Sequence, residues 1–331
     1  MFFSSQFEPK GKTALIVGSS QGLGAEIALK LYEQECSVIL VARTASKLKA
    51  QVERIVSTVG KKDNTEIYYI SSDVSNYKAA QDMWDEVFHK RGQDPDFIFC
   101  CAGSAVPKLF IDITEKDIND GIDINFKTAY NVCHTAYKTI SKVHSNKESH
   151  EYKKRTIVLF SSVISVFPFI GYGQYGPMKA ALLNFSIILR QELKPFNFRV
   201  ATVIAGNFQS EGYDVEQQTK PEITKVIEGP SHAMPASECA QIILKNLNRG
   251  VDTIYTDLIG WFVGCFYLGL APRNWYIVQI FVSLLLLIIG PIVGWSMDRD
   301  IKKYYQQHKL SATVTEQAEN SDLTTTSTKK S

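Results

Sequence analysis

Cysteine is scarce in this chain and follows no pattern. Six cysteines are spread over 331 residues, with no C-x-x-C and no Cys/His spacing of a zinc site. A structural zinc cluster and a disulfide framework are thereby excluded, and the thiols are expected to be reduced, in a domain facing the cytosol. An excess of either charge is missing as well. Lys and Arg number 36 against 34 Asp and Glu, a net charge of +2. No nucleic-acid partner is expected from that balance. Nor is a secretory leader expected, because Met1–Phe7 is too short and turns polar too soon. What remains is ordinary globular material, 45% hydrophobic and 21% charged, long enough for one large α/β domain with a full core.

Short apolar runs alternate with helical-period segments. Thr13–Val17, Ser37–Val41, Ile67–Ile70, Phe97–Cys100, Thr156–Phe160 and Arg199–Ile204 read as buried strands, and Ile254–Asp257 as a last one. Between them, Ala45, Leu48, Val52, Ile55, Val56 and Val59 form an apolar stripe that Gly60 stops. Ser237 and Glu238 open another helix, with Ala240, Ile243, Leu244 and Leu247 inward and Gly250 past its end. Lys142–Arg155 reads as a solvated, charged connection. The alternation predicts an α/β fold, a Rossmann-type doubly wound parallel sheet of about seven strands.

The character changes after Asp257. Leu258–Ala271 is uncharged and largely apolar, about 14 residues, an interfacial or re-entrant segment or half of a hairpin. Asn274–Met297 then runs 24 residues without a charge. Its heart, Tyr276–Trp295, is long enough to cross roughly 30 Å of hydrocarbon, and Trp275, Tyr276 and Trp295 sit where interfacial aromatics belong. The chain therefore divides into a globular domain over 1–257 with a substrate lid near 207–235, a membrane-associated segment over 258–300, and a polar tail over 301–331 expected to be disordered. Charges at Arg273, Arg299, Lys302 and Lys303 flank the apolar heart on both sides and do not choose one pass over a hairpin.

Directly after the first strand comes Gly18-Ser-Ser20-Gln21-Gly22-Leu-Gly24. A strand, a glycine loop and a helix start aim backbone N–H groups at a pyrophosphate, and glycine lets the backbone approach closely. A tight turn without ligand has the same letters. The second strand ends in Val41-Ala42-Arg43, with Lys47 one turn on. A carboxylate to hold a ribose 2′-OH is missing there, whereas two cations suit a 2′-phosphate, so NADPH is the expected cofactor. Asp73, after the third strand, is either an acceptor for the adenine amine or a helix cap. Cys101-Ala-Gly103 brings small residues under the same cofactor.

Tyr175 and Lys179 stand four apart, on one face of a helix that Gly176-Pro177 would begin. A free phenol titrates near pH 10, and a neighbouring ammonium is expected to lower that. Ser162, at a strand end, would polarise a carbonyl oxygen, and Asn125 would hold a proton-relay water near Lys179.

Taken together, the glycine loop, Asn125, Ser162 and the Tyr175-x-x-x-Lys179 pair resemble the short-chain dehydrogenase/reductase family, over about Gly11 to Asp257. The family's Asn-Ala-Gly is here Cys101-Ala-Gly103, and its Pro-Gly after the sixth strand is Ala205-Gly206-Asn207. The resemblance implies a ketone reductase that uses Ser162, Tyr175, Lys179 and Asn125 in catalysis. It implies cofactor contacts from Gly18, Ser20, Gln21, Gly22, Gly24, Arg43, Lys47, Asp73, Tyr175 and Lys179. It also implies homo-oligomers paired through the helices after the fourth and fifth strands. Gly206-Asn207-Phe208, Glu211-Gly212-Tyr213, Lys220-Pro-Glu-Ile-Thr224 and Ile227-Glu-Gly-Pro230, with the apolar extension, are similar to the fungal 3-ketosphinganine-reducing branch of that family. That branch implies an endoplasmic reticulum membrane enzyme that takes a long-chain sphingoid ketone from the bilayer. A membrane reductase of 3-ketoacyl-CoA or steroids is the nearest alternative, although the lid shows no basic patch for CoA. A non-catalytic membrane-anchored binding protein is the other, and the intact Ser/Tyr/Lys set argues against it.

Overall fold

A computed structural model describes residues 7–145, 147–148, 151–230, 232–265 and 275–307. Seven strands, β1 (Thr13–Val17), β2 (Ser37–Ala42), β3 (Ile67–Ser71), β4 (Phe97–Cys100), β5 (Arg155–Ser162), β6 (Phe198–Ala205) and β7 (Thr253–Tyr255), form one sheet. Its order is β3-β2-β1-β4-β5-β6-β7, and every pairing is parallel. The strands are Val- and Ile-rich because both faces are covered. Alternate residues of β1 show it: Ala14 and Ile16 enter one core, Leu15 and Val17 the other.

Helices α1 (Gly22–Glu33), α2 (Ala45–Val59) and α9 (Ala236–Asn248) cover the first face through Ile27, Leu31, Leu48, Ile55, Ile243 and Leu247. Helices α3 (Tyr77–Asp85), α5 (Thr128–Val143) and α6 (Gly176–Leu193) cover the second through Trp84, Val132 and Leu182. Gly60 and Gly250, both at positive φ, follow α2 and α9 as expected. The start of α9 differs from expectation. It begins at Ala236 behind Pro235, so Ser237 lies inside the first turn and does not cap it.

Between α4 (Glu115–Ile122) and α5 the chain widens into one π-helical turn, Asp123–Lys127, which carries Asn125. Such widened turns recur at functional sites. The Lys142–Arg155 connection is not simply solvated. Arg155 begins β5 with a fully buried side chain that grips Asp94 at 2.8 Å, and Lys153 and His144 join the same carboxylate. Burial alone would raise that carboxyl; its bonds to Arg155 and the nearby Lys153 charge hold it below the usual range.

Past β6 lie two short helices, α7 (Glu211–Thr219) and α8 (Glu222–Glu228), in the stretch where a lid is expected. Past β7 lies α10 (Leu258–Gly264), capped by the Asp257 carboxylate. Residues 266–274, which include most of the second half of the predicted interfacial segment, are outside the described part. Helix α11 spans Tyr276–Gln307, so helix runs beyond the expected limit at 300; the tail from 308 on is also outside the described part. Tyr276–Tyr304 of α11 is long and apolar enough to cross a membrane. It packs one stripe on the domain: Gln279, Ser283 and Leu286 are buried, and Ser283 Oγ donates to the Cys265 carbonyl at 2.7 Å.

Candidate active site

The sheet order reverses between β1 and β4, and a crevice at the carboxyl ends of strands opens at such a point. The glycine loop lies there. Gly18 has φ +82°, and a Cβ on it would stand 2.6 Å from Ala102 N. A Cβ on Gly24 would stand 2.3 Å from the Gly18 carbonyl oxygen. Both positions therefore require glycine, which fixes the loop against the Cys101–Gly103 turn. Gln21 precedes α1 without giving a side-chain cap, and no acidic residue occupies the first turn. The helix start thus keeps its N–H groups and its positive end for an anion. This cradle fits a dinucleotide pyrophosphate. Ser19, not Ser20, is the buried serine: it donates to the Ile16 carbonyl and accepts from Val41 N at 3.0 Å, tying β1 to β2.

Arg43 is exposed at the end of β2. Lys47, in the first turn of α2, meets Gln21 Oε1 and Glu211 Oε2, each at 2.8 Å. Glu211 opens α7, so an exposed ion pair joins α7 to the glycine loop and α2. Ser210 lies at the same seam, 3.2 Å from where a Cβ of Gly22 would be. Asp73 is not a helix cap. It accepts from Ser75 N and Ser75 Oγ, while Asn76 caps α3 through Ala79 N.

Three consecutive residues at the end of β5 hold the start of helix α6. The Phe160 carbonyl accepts from Lys179 Nζ at 2.9 Å. Ser161 Oγ donates to the Lys179 carbonyl at 2.8 Å. Ser162 is hydrogen-bonded to the Tyr175 hydroxyl. Helix α6 begins at Gly176 with Pro177 in its first turn, and Tyr175 sits at the lip as the spacing predicts. Lys179 is 3% exposed, and its Nζ lies 5.4 Å from the centre of the Tyr175 ring.

The electrostatics differ from expectation in one respect. Tyr175 is not acidified: burial pushes its phenol up, and the Ser162 hydrogen bond only partly opposes that. The ammonium expected to lower it is turned to the Phe160 carbonyl, and burial pulls Lys179 itself down to about 8. The phenol is therefore held protonated, the state a proton donor needs.

Asn125 is likewise placed differently from a simple water holder. Its Oδ1 accepts from Ser104 N and its Nδ2 donates to the Ser104 carbonyl, both at 2.9 Å. The amide clamps the loop that follows Gly103. A Cβ on Gly103 would stand 2.8 Å from Lys179 Nζ and 3.2 Å from Asn125 Oδ1, so these three residues share one small volume. The structure brings the predicted Ser162, Tyr175, Lys179 and Asn125 together, and beside them lie Tyr172 and Glu216, which the sequence pattern did not single out. Tyr172 OH donates to Glu216 Oε1 at 2.5 Å, and its ring lies 6.2 Å from that of Tyr175. The i, i+4 spacing of Glu216 and Lys220 was the available signal.

A doubly wound sheet with a glycine cradle and a Ser/Tyr/Lys group at its switch point defines a dinucleotide-dependent oxidoreductase scaffold. The family model described as short chain dehydrogenase matches residues 12–220, and the chain belongs to that family. It is 51% identical over 306 residues to the 3-ketodihydrosphingosine reductase of Debaryomyces hansenii, covering 92% of this chain and 93% of that one. With the 3-ketodihydrosphingosine reductase of Saccharomyces cerevisiae it shares 36% identity, covering 92% and 98%. Among solved structures, a short-chain dehydrogenase of Sphingobium yanoikuyae in complex with NADPH superposes with a TM-score of 0.61 at 21% identity, covering 75% of this chain and 88% of that one. That likeness is one of fold.

Proposed function

We propose that the protein reduces the C3 ketone of 3-ketosphinganine to sphinganine with NADPH, a step of sphingoid-base synthesis. The observation that carries the chemistry is the seating of Tyr175 and Lys179 by Phe160, Ser161 and Ser162 beside the glycine cradle. The substrate follows from the relatives, which are 3-ketodihydrosphingosine reductases over nearly their whole length.

NADPH, when bound, supplies the hydride that C3 accepts. Gly18, Ser20, Gln21, Gly22 and Gly24 would seat its pyrophosphate, Arg43 and Lys47 its 2′-phosphate, and Asp73 the adenine edge. Ser162 and Tyr175 hold the keto oxygen, two donors aimed where negative charge grows. Tyr175 gives its proton to that oxygen, and its raised proton affinity keeps the proton in place until the alkoxide develops. Lys179, with its proton affinity near neutrality, accepts and returns protons from the buried side. Asn125 fixes the Ser104 backbone and so the wall against which Lys179 lies.

On this reading the chain has a reductase domain over 1–257 with a lid near 207–235, a membrane segment that begins at 258 and includes α11 (Tyr276–Gln307), and a polar tail beyond it. Helix α11 anchors the domain at the endoplasmic reticulum, on the cytosolic side, and the long-chain ketone comes from the adjoining bilayer. Copies pair through α5 and α6, where half-exposed Tyr130 stacks on Phe185 at 4.8 Å and Ile188 is exposed. The test is sphinganine formation by the detergent-purified chain with NADPH, then with NADH. Turnover with NADPH is expected in the native protein and none in Tyr175→Phe; turnover retained by that variant rejects the assignment.

A further inference from the structure

The lid contains an ionic cluster that the reduction chemistry above does not use. Lys220 is 4% exposed. Its Nζ lies 2.5 Å from Glu228 Oε2 and 3.4 Å from Glu216 Oε1. Asn207 Nδ2 donates to the other Glu228 oxygen at 2.9 Å. Glu228 thus has both oxygens engaged. Glu216 does not: Tyr172 and Lys220 meet the same Oε1, and among the described residues Oε2 receives no hydrogen bond.

Two carboxylates share one ammonium, so the ionised cluster carries one negative charge in excess. A charge removed from water without its own partner is costly, and the usual resolution is a counter-charge or protonation. Glu216 shows that cost, since burial raises its proton affinity. A cation brought to Oε2 would balance the cluster.

The place of that oxygen says which cation. Tyr172 holds Glu216 while packing its ring beside Tyr175, and the field of the Glu216 carboxylate reaches the Tyr175 hydroxyl. Among the described residues, only the Tyr172 side chain links the Glu216 carboxylate to the Tyr175 ring, which puts the carboxylate on the Tyr175 side of the cluster. In a 2-amino-3-ketone the nitrogen is on the carbon next to the carbonyl. Groups that read the amine and the ketone must then be neighbours, as Glu216 and Tyr175 are. We propose that Glu216 is the recognition group for the protonated 2-amine of the substrate, held in position by Tyr172 and by the buried Lys220–Glu228 pair. The inference rests on the substrate class proposed above and adds a selection rule: a free ammonium is accepted, and a neutral amide or a ketone without nitrogen is disfavoured.

The test uses the full-length protein in detergent with NADPH and two ketones of equal chain length, 3-ketosphinganine and the 1-hydroxy-3-ketone lacking the amine. The native protein is expected to prefer the amine. Glu216→Gln keeps the shape and the Tyr172 bond but loses the charge. Its kcat/KM for 3-ketosphinganine is expected to fall roughly 10- to 100-fold more than for the amine-free ketone, as befits a buried hydrogen bond to a charged group. Glu216→Asp should recover part of the preference. Equal losses on both ketones would show that the cluster only fastens the lid, and an unchanged preference would place amine recognition elsewhere; either overturns this proposal alone. A native protein that reduces neither ketone overturns the substrate assignment as well, and this inference with it.

Discussion

Gly103 and Lys179 are packed so closely that a methyl group on the glycine would stand 2.8 Å from the lysine nitrogen. The neighbour that would have to move is the end of a buried side chain already bonded to the Phe160 carbonyl at 2.9 Å. Gly103→Ala is therefore expected to fold, because φ at this position is not in the left-handed region, and to displace the ammonium. Misplacement of a catalytic group by about 1 Å costs on the order of 100-fold in rate. Steady-state kcat beside a circular dichroism spectrum checks this; a normal kcat would show that Lys179 tolerates the shift.

Lys179 sets the pH dependence. Burial pulls it down from its ordinary value to about 8, so it carries its charge below that pH and loses it above. If the charged form supports proton delivery to Tyr175, reduction should decline as pH rises through about 8. The same burial makes the charged lysine a cost to the fold. With a folded value below the unfolded one, that cost is full below pH 8 and relieved as pH rises toward the ordinary lysine range. Lys179→Met should then lose turnover without losing stability at pH 7. Thermal unfolding followed at pH 7 and 9 tests it: a large drop in Tm for the variant at pH 7 contradicts the assignment.

The proposed 2′-phosphate site consists of Arg43 and Lys47. Lys47 is already paired with Glu211 of α7 at 2.8 Å, whereas Arg43 is exposed at the end of β2. A 2′-phosphate would thus draw most directly on Arg43 and compete with Glu211 for Lys47. Arg43→Ala is expected to raise KM for NADPH roughly tenfold or more and leave NADH use nearly unchanged, the scale of one lost charged hydrogen bond. Glu211→Gln should shift NADPH affinity the other way. Binding titrations with both dinucleotides decide it, and equal weakening toward NADH in Arg43→Ala would remove Arg43 from the 2′-phosphate site.

The elements that the sequence made legible are those that hydrophobic pattern controls. β1 and β4 begin and end where their apolar runs do, since a parallel strand buried on both faces is nearly all Val, Ile, Leu and Phe. The relation of Tyr175 to Lys179 was legible because a start at Gly176-Pro177 puts the tyrosine at the lip of the helix and the lysine one turn in. Long-range contacts were not. Nothing near Arg155 in sequence announces Asp94 as its partner, and nothing near Asn125 announces the Ser104 backbone. Proton affinities were missed for the same reason. They depend on burial and on where an ammonium points, and Lys179 points to Phe160, not to the phenol. Asp73 shows how local such choices are: Asn76, three residues on, caps the helix, and Asp73 bonds Ser75 instead.

The two faces of α11 offer the last prediction. Gln279, Ser283 and Leu286 turn inward against the domain, while Leu284, Leu285, Leu287 and Ile288 are half or more exposed. A helix on a soluble protein would cover such a face with polar groups, because water gains nothing from leucine. A lipid-facing helix leaves it apolar and keeps its polar side chains, here Gln279 and Ser283, on the protein side. An arginine at the membrane centre costs about 2.5–3.5 kcal/mol on insertion scales. Leu287→Arg should therefore shift the protein from the carbonate-resistant membrane fraction toward the soluble one, and NADPH binding by the domain should persist. Leu287→Ser, at far lower cost, should remain with the membrane. If Leu287→Arg stayed in the carbonate-resistant pellet as firmly as the native chain, this face would not be the one that meets lipid, and the exposed leucines would need another partner.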